Sequence, residues 1–149
     1  MIRIAESARD YTTLLAIQIE CIEGLTDTYT PDEIQHWVDY LKNETADRYS
    51  EYNNTVYVDD SGKIEGFISW KTTEGSSASI ESLYIRNSYG GRGIGKLLLQ
   101  NVEADLPGKT IHVRSTLNAQ SFYERNGYIY TGKSISRAGF MISLLKKKL

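Results

Sequence analysis

The chain has 149 residues, 40% of them hydrophobic, and a formal net charge of −2. This length predicts one domain over residues 1–149, and the single cysteine excludes a disulfide within the chain. No apolar run reaches the ~18 residues that a membrane span needs, and the first residues lack a signal-peptide pattern. We therefore expect a cytoplasmic protein that does not bind a membrane.

The two parts of the sequence carry opposite charge. Residues 1–80 hold 15 acidic and 6 basic side chains, and residues 81–149 hold the other 4 acidic and 11 basic ones of the chain's 19 and 17. The second part is expected to attract an anion and the first a cation, unless both sets are merely solvated. Scattered basic residues and a pI near 5.7 argue against nucleic acid as a partner.

Hydrophobic periodicity predicts a mixed α/β fold. Ile2–Ala5 is predicted as a strand, a helix runs from Ser7 to about Ile22, and a second begins at Thr30 with a capping box. Further predicted strands are Thr55–Asp59, Ile64–Lys71, Ala78–Arg86, Ile111–Thr116, Tyr128–Thr131 and Phe140–Leu145. Two more helices are predicted. The first has the core face Ile94, Leu97, Leu98 and Val102, and the second spans Ala119–Arg125. The order β-α-α-β-β-β-α-β-α-β-β favours a mainly antiparallel sheet, with Lys146–Lys148 as a solvated tail.

A glycine-rich turn follows the strand Ala78–Arg86. Residues 89–96 read Tyr-Gly-Gly-Arg-Gly-Ile-Gly-Lys and open a helix. Unpaired N–H groups and the helix dipole attract anions at such a position, and glycine lets the backbone approach a phosphate. The turn therefore predicts a pyrophosphate site, although tight-turn geometry alone would also call for glycine. Its residues would be Gly91, Arg92, Gly93, Ile94, Gly95 and Lys96.

Two common phosphate-binding patterns fit this turn poorly. The dinucleotide pattern G-x-G-x-x-G needs glycine where Lys96 stands. The P-loop pattern G-x-x-x-x-G-K-[S/T] matches Gly90, Gly95 and Lys96, but Leu97 replaces the hydroxyl that would hold Mg²⁺. ATP binding is thus the nearest rival by spacing, and no metal site is predicted.

Two blocks of sequence resemble the GNAT superfamily of N-acetyltransferases. Residues 85–95 are similar to its acetyl-CoA motif, [Gln/Arg]-x-x-Gly-x-[Gly/Ala], and residues 118–128, NAQSFYERNGY, are similar to its second diagnostic block. Gly90 departs from the usual Gln or Arg, and Asn87 stands where proline is common, so one side-chain contact to phosphate is lost. The resemblance extends over essentially the whole chain.

This resemblance implies a central sheet with helices on both faces and acetyl-CoA as co-substrate. The strands Ala78–Arg86 and Ile111–Thr116 would diverge, with the pantetheine arm of the cofactor between them. One backbone N–H of the first strand, at Leu83 or Tyr84, would stabilise the negative charge that develops on the acetyl oxygen. The implied cofactor-binding residues outside the glycine turn are Leu83, Tyr84, Ile85, Asn118 and Ser121.

Tyr123 is predicted as the general acid. It matches the family position near the cofactor sulfur, and a phenol is neutral at pH 7, so it can donate a proton to the leaving thiolate. The alternative is a core tyrosine on an amphipathic helix. Cys21, on the first helix with apolar neighbours at helical spacing, is predicted as a buried thiol rather than a nucleophile.

Glu81 is predicted as the general base. Strand alternation would put it on the same face as Leu83 and Ile85, where a charged group is unusual unless the face opens into a cleft. The alternative is a carboxylate paired with Arg114 or Arg86. Histidine can also accept a proton near neutral pH, so His36 and His112 are alternative bases. Otherwise His112 is an ordinary strand residue and His36 a solvated one.

The resemblance implies that the acceptor binds against the first two helices and the final hairpin, which vary with substrate among GNAT proteins. Acidity between those helices favours a cationic primary amine, such as a polyamine, an aminoglycoside or a lysine side chain. The residues concerned are Glu23, Asp27, Tyr29 and Asp32. The sequence thus predicts direct acetyl transfer to a small-molecule or peptide amine, the alternative being a non-catalytic acyl-CoA-binding regulatory module. Homodimers are frequent in the family, so a homodimer is one expected assembly.

Overall fold

The computed structural model describes residues 1–86 and 93–149, which form seven strands and four α-helices. The strands are β1 (Ile2–Ile4), β2 (Asn53–Val58), β3 (Ile64–Thr72), β4 (Ser77–Ile85), β5 (Thr110–Thr116), β6 (Ile129–Ile135) and β7 (Met141–Lys148). The helices are α1 (Ala8–Glu23), α2 (Pro31–Glu44), α3 (Ile94–Ala104) and α4 (Gln120–Arg125), with 3-10 helices at Ala46–Glu51 and Leu117–Ala119. None of the helices described has the length and apolar character of a membrane-spanning helix.

The strands form one sheet in the order β1-β2-β3-β4-β5-β7-β6. All neighbouring pairs in it are antiparallel except β4 and β5, which run parallel. A parallel pair needs a crossover connection, and α3 supplies it between these two strands. The predicted element order and the mixed, mainly antiparallel sheet are confirmed.

Side chains at the helix starts fix where α1 and α2 begin. Ser7 accepts a hydrogen bond from the Asp10 backbone N–H at 3.1 Å, and the Asp10 carboxylate accepts two from Arg3 at 2.8 and 2.9 Å. Thr30 and Glu33 form a reciprocal capping box with distances of 3.0 and 3.1 Å. Each cap contributes roughly 1 kcal/mol. Both predicted helix starts are confirmed.

The helices cover both faces of the sheet. On one face α3 and α4 contribute the buried residues Ile94, Leu98, Leu99, Val102 and Tyr123. On the other face α1 and α2 contribute Leu14, Ile17, Ile22, Trp37, Val38 and Leu41. Helices therefore lie on both faces of β4, whereas β5 buries Ile111 and Val113 under α3 and exposes His112 and Arg114 on its other face.

One predicted core position on α3 is wrong. Leu97 is 45% exposed, whereas Leu99, which the predicted face omits, is 1% exposed. At 3.6 residues per turn Leu97 and Leu99 lie at equal angles on either side of the row Ile94, Leu98 and Val102, so helical spacing does not distinguish them and packing against the sheet buries Leu99.

The prediction of Lys146–Lys148 as a tail is also wrong, although Lys146 and Lys148 are solvent-exposed as predicted. These residues belong to β7, which pairs with β5 on one side and β6 on the other. The Lys147 Nζ lies 3.1 Å from a carboxylate oxygen of Glu103 and 2.9 Å from the Asn126 carbonyl oxygen. Lysine fits a central strand here because its aliphatic stem packs along the sheet while its ammonium group reaches these acceptors.

Candidate functional site

The parallel strands β4 and β5 separate near the centre of the sheet. Their pairing ends at Ile80 and Val113, although β4 continues to Ile85 and β5 to Thr116. We call the gap between residues 81–85 and 114–116 the slot. A small cavity lies in it, lined among others by Glu81, Leu83, Tyr84, Arg114, Thr116 and Tyr123. The predicted divergence of these strands is confirmed, and it leaves the β4 backbone there without hydrogen-bonding partners from β5.

A β-bulge lies at the point where the slot begins. Ile80 is opposite Trp70 and Ser82 is opposite Ser69, so Glu81 is an additional residue on β4 with no counterpart on β3. Such a residue bends the strand and re-aims the side chains that follow it.

The bulge reverses the alternation of β4 and overturns one prediction. Leu83 and Ile85 pack into the core under α3, whereas Glu81 lines a cleft on the opposite face together with Tyr84. The predicted common face of Glu81 with Leu83 and Ile85 is wrong, because the additional residue shifts the two-residue period by one position. The Glu81 carboxylate accepts a hydrogen bond from the Ser79 hydroxyl at 3.0 Å.

The cleft that Glu81 lines has a volume of about 340 Å³ and lies on the α1–α2 face of the sheet. We call it the main cleft. Its aromatic walls are Trp37, Tyr40, Tyr52, Tyr84 and Phe140. Its polar and charged lining is Gln18, Arg48, Glu81, Arg114, Thr116, Ser136 and Arg137. Four residues line both the main cleft and the slot, so the two spaces adjoin: Glu81, Tyr84, Arg114 and Thr116.

Tyr123 approaches the slot from α4, on the side of the sheet opposite the main cleft. It is 4% exposed, and its ring centroid lies 5.2 Å from that of Phe122 and 5.5 Å from that of Tyr128. Burial raises the pKa of the Tyr123 phenol well above 10, so the hydroxyl stays protonated at neutral pH. The slot thus has a proton donor on one side and the Glu81 carboxylate, a proton acceptor, on the other.

The described part of the glycine turn begins the helix α3. Gly93 is its N-cap with φ of 75°, a left-handed conformation that favours glycine, and no side chain of the described residues caps the helix. Ile94 is buried in the core, whereas Lys96 is exposed, and a Cβ on Gly95 would lie 3.4 Å from the Phe122 ring. The first N–H groups of α3 are therefore available to an anion. Gly91 and Arg92, also predicted for this site, lie outside the described residues.

The other predicted cofactor-binding residues border the slot or its approach. The backbone of Leu83, Tyr84 and Ile85 forms the slot edge of β4. Asn118 lies in the 3-10 helix that follows β5, and Ser121 lies in the first turn of α4; both side chains are exposed. Backbone and side-chain groups therefore stand on both sides of the slot, and a linear ligand could contact both.

The acidic residues between α1 and α2 do not reach the main cleft. Glu23, Asp27 and Asp32 are exposed, and none of them lines it. Tyr29 is buried and its hydroxyl is occupied: it donates to the Met141 carbonyl oxygen at 2.7 Å and accepts from the Leu117 backbone N–H at 3.0 Å. The structure thus ties this segment to β7 and to the end of β5 through Tyr29.

Replacing Tyr29 by Phe is expected to lower the free energy of unfolding by about 1–3 kcal/mol, because a partly buried carbonyl and a partly buried N–H each lose their partner. Urea unfolding followed by circular dichroism measures this. The matched control is Tyr130→Phe, since Tyr130 is 37% exposed. Equal stability of the two variants would show that the Tyr29 hydroxyl does not hold this segment.

The remaining titratable candidates lie away from the main cleft and the slot. His36 and His112 are exposed and line neither space. Cys21 is 8% exposed and its thiol donates to the Ile85 carbonyl oxygen at 3.2 Å. Burial raises the pKa of Cys21 to about 11, which suppresses the reactive thiolate at neutral pH. The prediction of a buried thiol is confirmed.

Sequence reasoning missed several residues of the main cleft. The side chains of Arg48, Arg137 and Tyr84 line it, and none was assigned a substrate role. Arg114 was considered only as a partner for Glu81, yet no ion pair among the described residues joins the two. A signal existed for Arg114, since it alternates with the buried residues Val113 and Ser115 on β5 and so faces the other way.

Comparisons with known proteins agree with this architecture. A GCN5-related N-acetyltransferase from Rhodopseudomonas palustris superposes with a TM-score of 0.85 at 24% identity, over 100% of this chain and 95% of that one. The PaiA N-acetyltransferase from Thermoplasma acidophilum, in complex with coenzyme A, superposes with a TM-score of 0.73 at 22% identity, over 100% and 99%. An aminoglycoside 6'-N-acetyltransferase complexed with coenzyme A gives 0.70 at 14% identity, over 99% and 96%.

Sequence comparison identifies the family. A search of curated protein sequences gives no match. The sequence profile of the acetyltransferase (GNAT) domain, however, matches residues 25–149, which include α2, the whole slot and the main cleft's strands. With the shared fold of the solved structures, this match is decisive: the chain belongs to the GNAT acetyltransferase family.

Proposed function

We propose that this protein transfers an acetyl group from acetyl-CoA directly to the nitrogen of a primary amine. The observation that supports the proposal most is the slot itself, with Glu81 at the main cleft and the protonated Tyr123 on the other side. A thioester bound in the slot would lie next to an amine bound in the main cleft. Glu81 could then accept a proton from the amine, and Tyr123 could donate one to the thiolate. Membership in the acetyltransferase family supports the same reaction class.

The slot and the start of α3 suit two parts of acetyl-CoA, the pantetheine arm and the pyrophosphate. The pantetheine arm carries amide groups, and the backbone of β4 from Leu83 to Ile85 can pair with them as a neighbouring strand would. The pyrophosphate would bind at the uncapped N–H groups that follow Gly93, with Lys96 adding positive charge. Asn118 and Ser121 are proposed to contact the arm from the β5 side.

The amine is proposed to bind in the main cleft and to lose its proton to Glu81, directly or through a water molecule. Its nitrogen, now neutral, then attacks the thioester carbonyl carbon and forms the N–C bond. As the C–S bond breaks, the nitrogen releases its surplus proton to solvent. A β4 backbone N–H, at Leu83 or Tyr84, would stabilise the negative charge that develops on the carbonyl oxygen. Tyr123 would donate its phenolic proton to the departing thiolate.

Calorimetric titration with CoA, followed by a thiol-release assay with acetyl-CoA and a panel of amines, tests this function. We expect CoA to bind and at least one amine to release free thiol. CoA binding without thiol release from any amine would favour a non-catalytic acyl-CoA-binding module. Binding of ATP but not of CoA would overturn the assignment of the glycine turn.

A further inference from the structure

The charges of the main cleft come mostly from arginine. Arg48 lies in the 3-10 helix Ala46–Glu51, Arg114 in β5 and Arg137 between β6 and β7, and all three side chains line the cleft. Glu81 is the only carboxylate among the lining residues described. Three separate elements thus bring guanidinium groups to one space of about 340 Å³.

These arginines differ in how far their charge is already balanced. Arg48 lies 3.2 Å from a carboxylate oxygen of Glu44 and 3.3 Å from the Gln18 side-chain oxygen. The Glu44 pKa is lowered by its hydrogen bond with Tyr40 and by the charges of Arg48 and Arg137. Glu44 does not line the main cleft, so its negative charge offsets the arginine charge from outside the cleft.

Arg114 is the arginine with an uncommitted guanidinium. Across residues 1–86 and 93–149 its side chain takes part in no hydrogen bond or ion pair. It also lines the slot as well as the main cleft, as Glu81 does. A guanidinium presents paired N–H donors that match the two oxygens of a carboxylate.

We propose that the acceptor is an amine with a carboxylate close to its amino group, as in a free amino acid. This inference rests on the proposed acetyl transfer. Glu81 would face the amino group and Arg114 the carboxylate, since both groups stand where the main cleft meets the slot. A polycation would instead meet an excess of positive charge. A cleft of about 340 Å³ is near the lower limit for small-molecule sites, roughly 300–1,000 Å³, which suits a ligand of amino-acid size.

The first test compares kcat/KM for the common amino acids with that for their carboxamides, in which only the negative charge is lost. We expect the best amino acid to exceed its carboxamide at least about tenfold, the effect of one charge-assisted hydrogen bond. Arg114→Gln should abolish most of that preference. Arg9→Gln, the same change at an exposed arginine outside the cleft, should leave it unchanged. Equal turnover of acids and carboxamides, or turnover of polyamines alone, would overturn the inference and leave acetyl transfer standing.

A second test does not depend on turnover. N-acetyl amino acids and N-acetyl amino acid amides are titrated calorimetrically into the CoA-loaded protein and into its Arg114→Gln variant. Tighter binding of the acids, lost in the variant, would support the carboxylate site even if no amine were acetylated, in which case only the proposed activity would fail. Failure of the acids to bind more tightly than the amides, together with no preference in turnover, would contradict the inference.

Discussion

Glu81→Gln is expected to lower kcat/KM for acetyl transfer by about 10²-fold or more, the usual contribution of a general base. The deficit should shrink as the pH rises towards the pKa of the acceptor amine, because the free amine then needs no base. Steady-state thiol-release kinetics across pH, with the wild type measured in parallel, give both quantities. Gln retains the size of Glu81 and can still accept the Ser79 hydrogen bond, so the fold should be preserved.

The matched control for this variant is Glu74→Gln. Glu74 is exposed in the turn between β3 and β4, outside the main cleft and the slot, so its replacement should leave the kinetics unchanged. A Glu81→Gln enzyme with unchanged kcat/KM at every pH would remove Glu81 from the reaction. A deficit that is constant with pH would indicate a positioning role instead.

Tyr123→Phe is expected to lower kcat by about 10²-fold, the lower end for general acid catalysis. The KM for acetyl-CoA should stay nearly constant, because the ring and its packing against Phe122 and Tyr128 remain. Burial raises the pKa of Tyr123 well above 10, so the wild-type phenol should remain protonated throughout the neutral range. Steady-state kinetics at varied acetyl-CoA separate kcat from KM.

Tyr128→Phe provides the comparison for Tyr123. Tyr128 is a buried neighbour whose hydroxyl donates to a Glu103 carboxylate oxygen at 2.9 Å, and it does not line the slot. Its replacement should reduce stability and leave kcat essentially unchanged. If Tyr123→Phe raised KM or reduced stability without lowering kcat, Tyr123 would be a packing residue.

The element order was predictable because each element carries its own local signal. The capping box at Thr30 and Glu33 marks the start of α2 within four residues of sequence. The alternation of buried Ile111 and Val113 with exposed His112 marks β5 in the same way. Such signals involve only residues near one another in the chain, and they do not depend on tertiary packing.

The orientation of Glu81 was not predictable from β4 alone. The bulge exists only relative to β3, where Ser69 and Trp70 pair with Ser82 and Ile80 and leave Glu81 between them. A two-residue period read along one strand assumes that every residue has a partner. The predicted role of Glu81 as base was therefore reached with a wrong face, and the bulge is what turns its carboxylate to the main cleft.

The positive charge of the main cleft was not predictable from the sequence for a related reason. Glu23, Asp27 and Asp32 are close in sequence, which suggested an acidic acceptor site, but their side chains are exposed outside the cleft. Arg48 and Arg137 are far apart in sequence and line the same cleft only because the 3-10 helix Ala46–Glu51 and the β6–β7 turn both border it. Proximity along the chain is a poor guide to a site that several elements build.

A single-turnover experiment tests direct acetyl transfer most directly. The protein is mixed with one equivalent of acetyl-CoA and an amine that supports thiol release, and samples are quenched at intervals. Mass spectrometry then measures the masses of the intact protein and of the amine. We expect the acetyl group to leave CoA and appear on the amine nitrogen at the same rate, with no acetylated protein at any time. An acetylated protein that forms before the acetylated amine, or free thiol without any acetylated amine, would contradict direct transfer in this cleft.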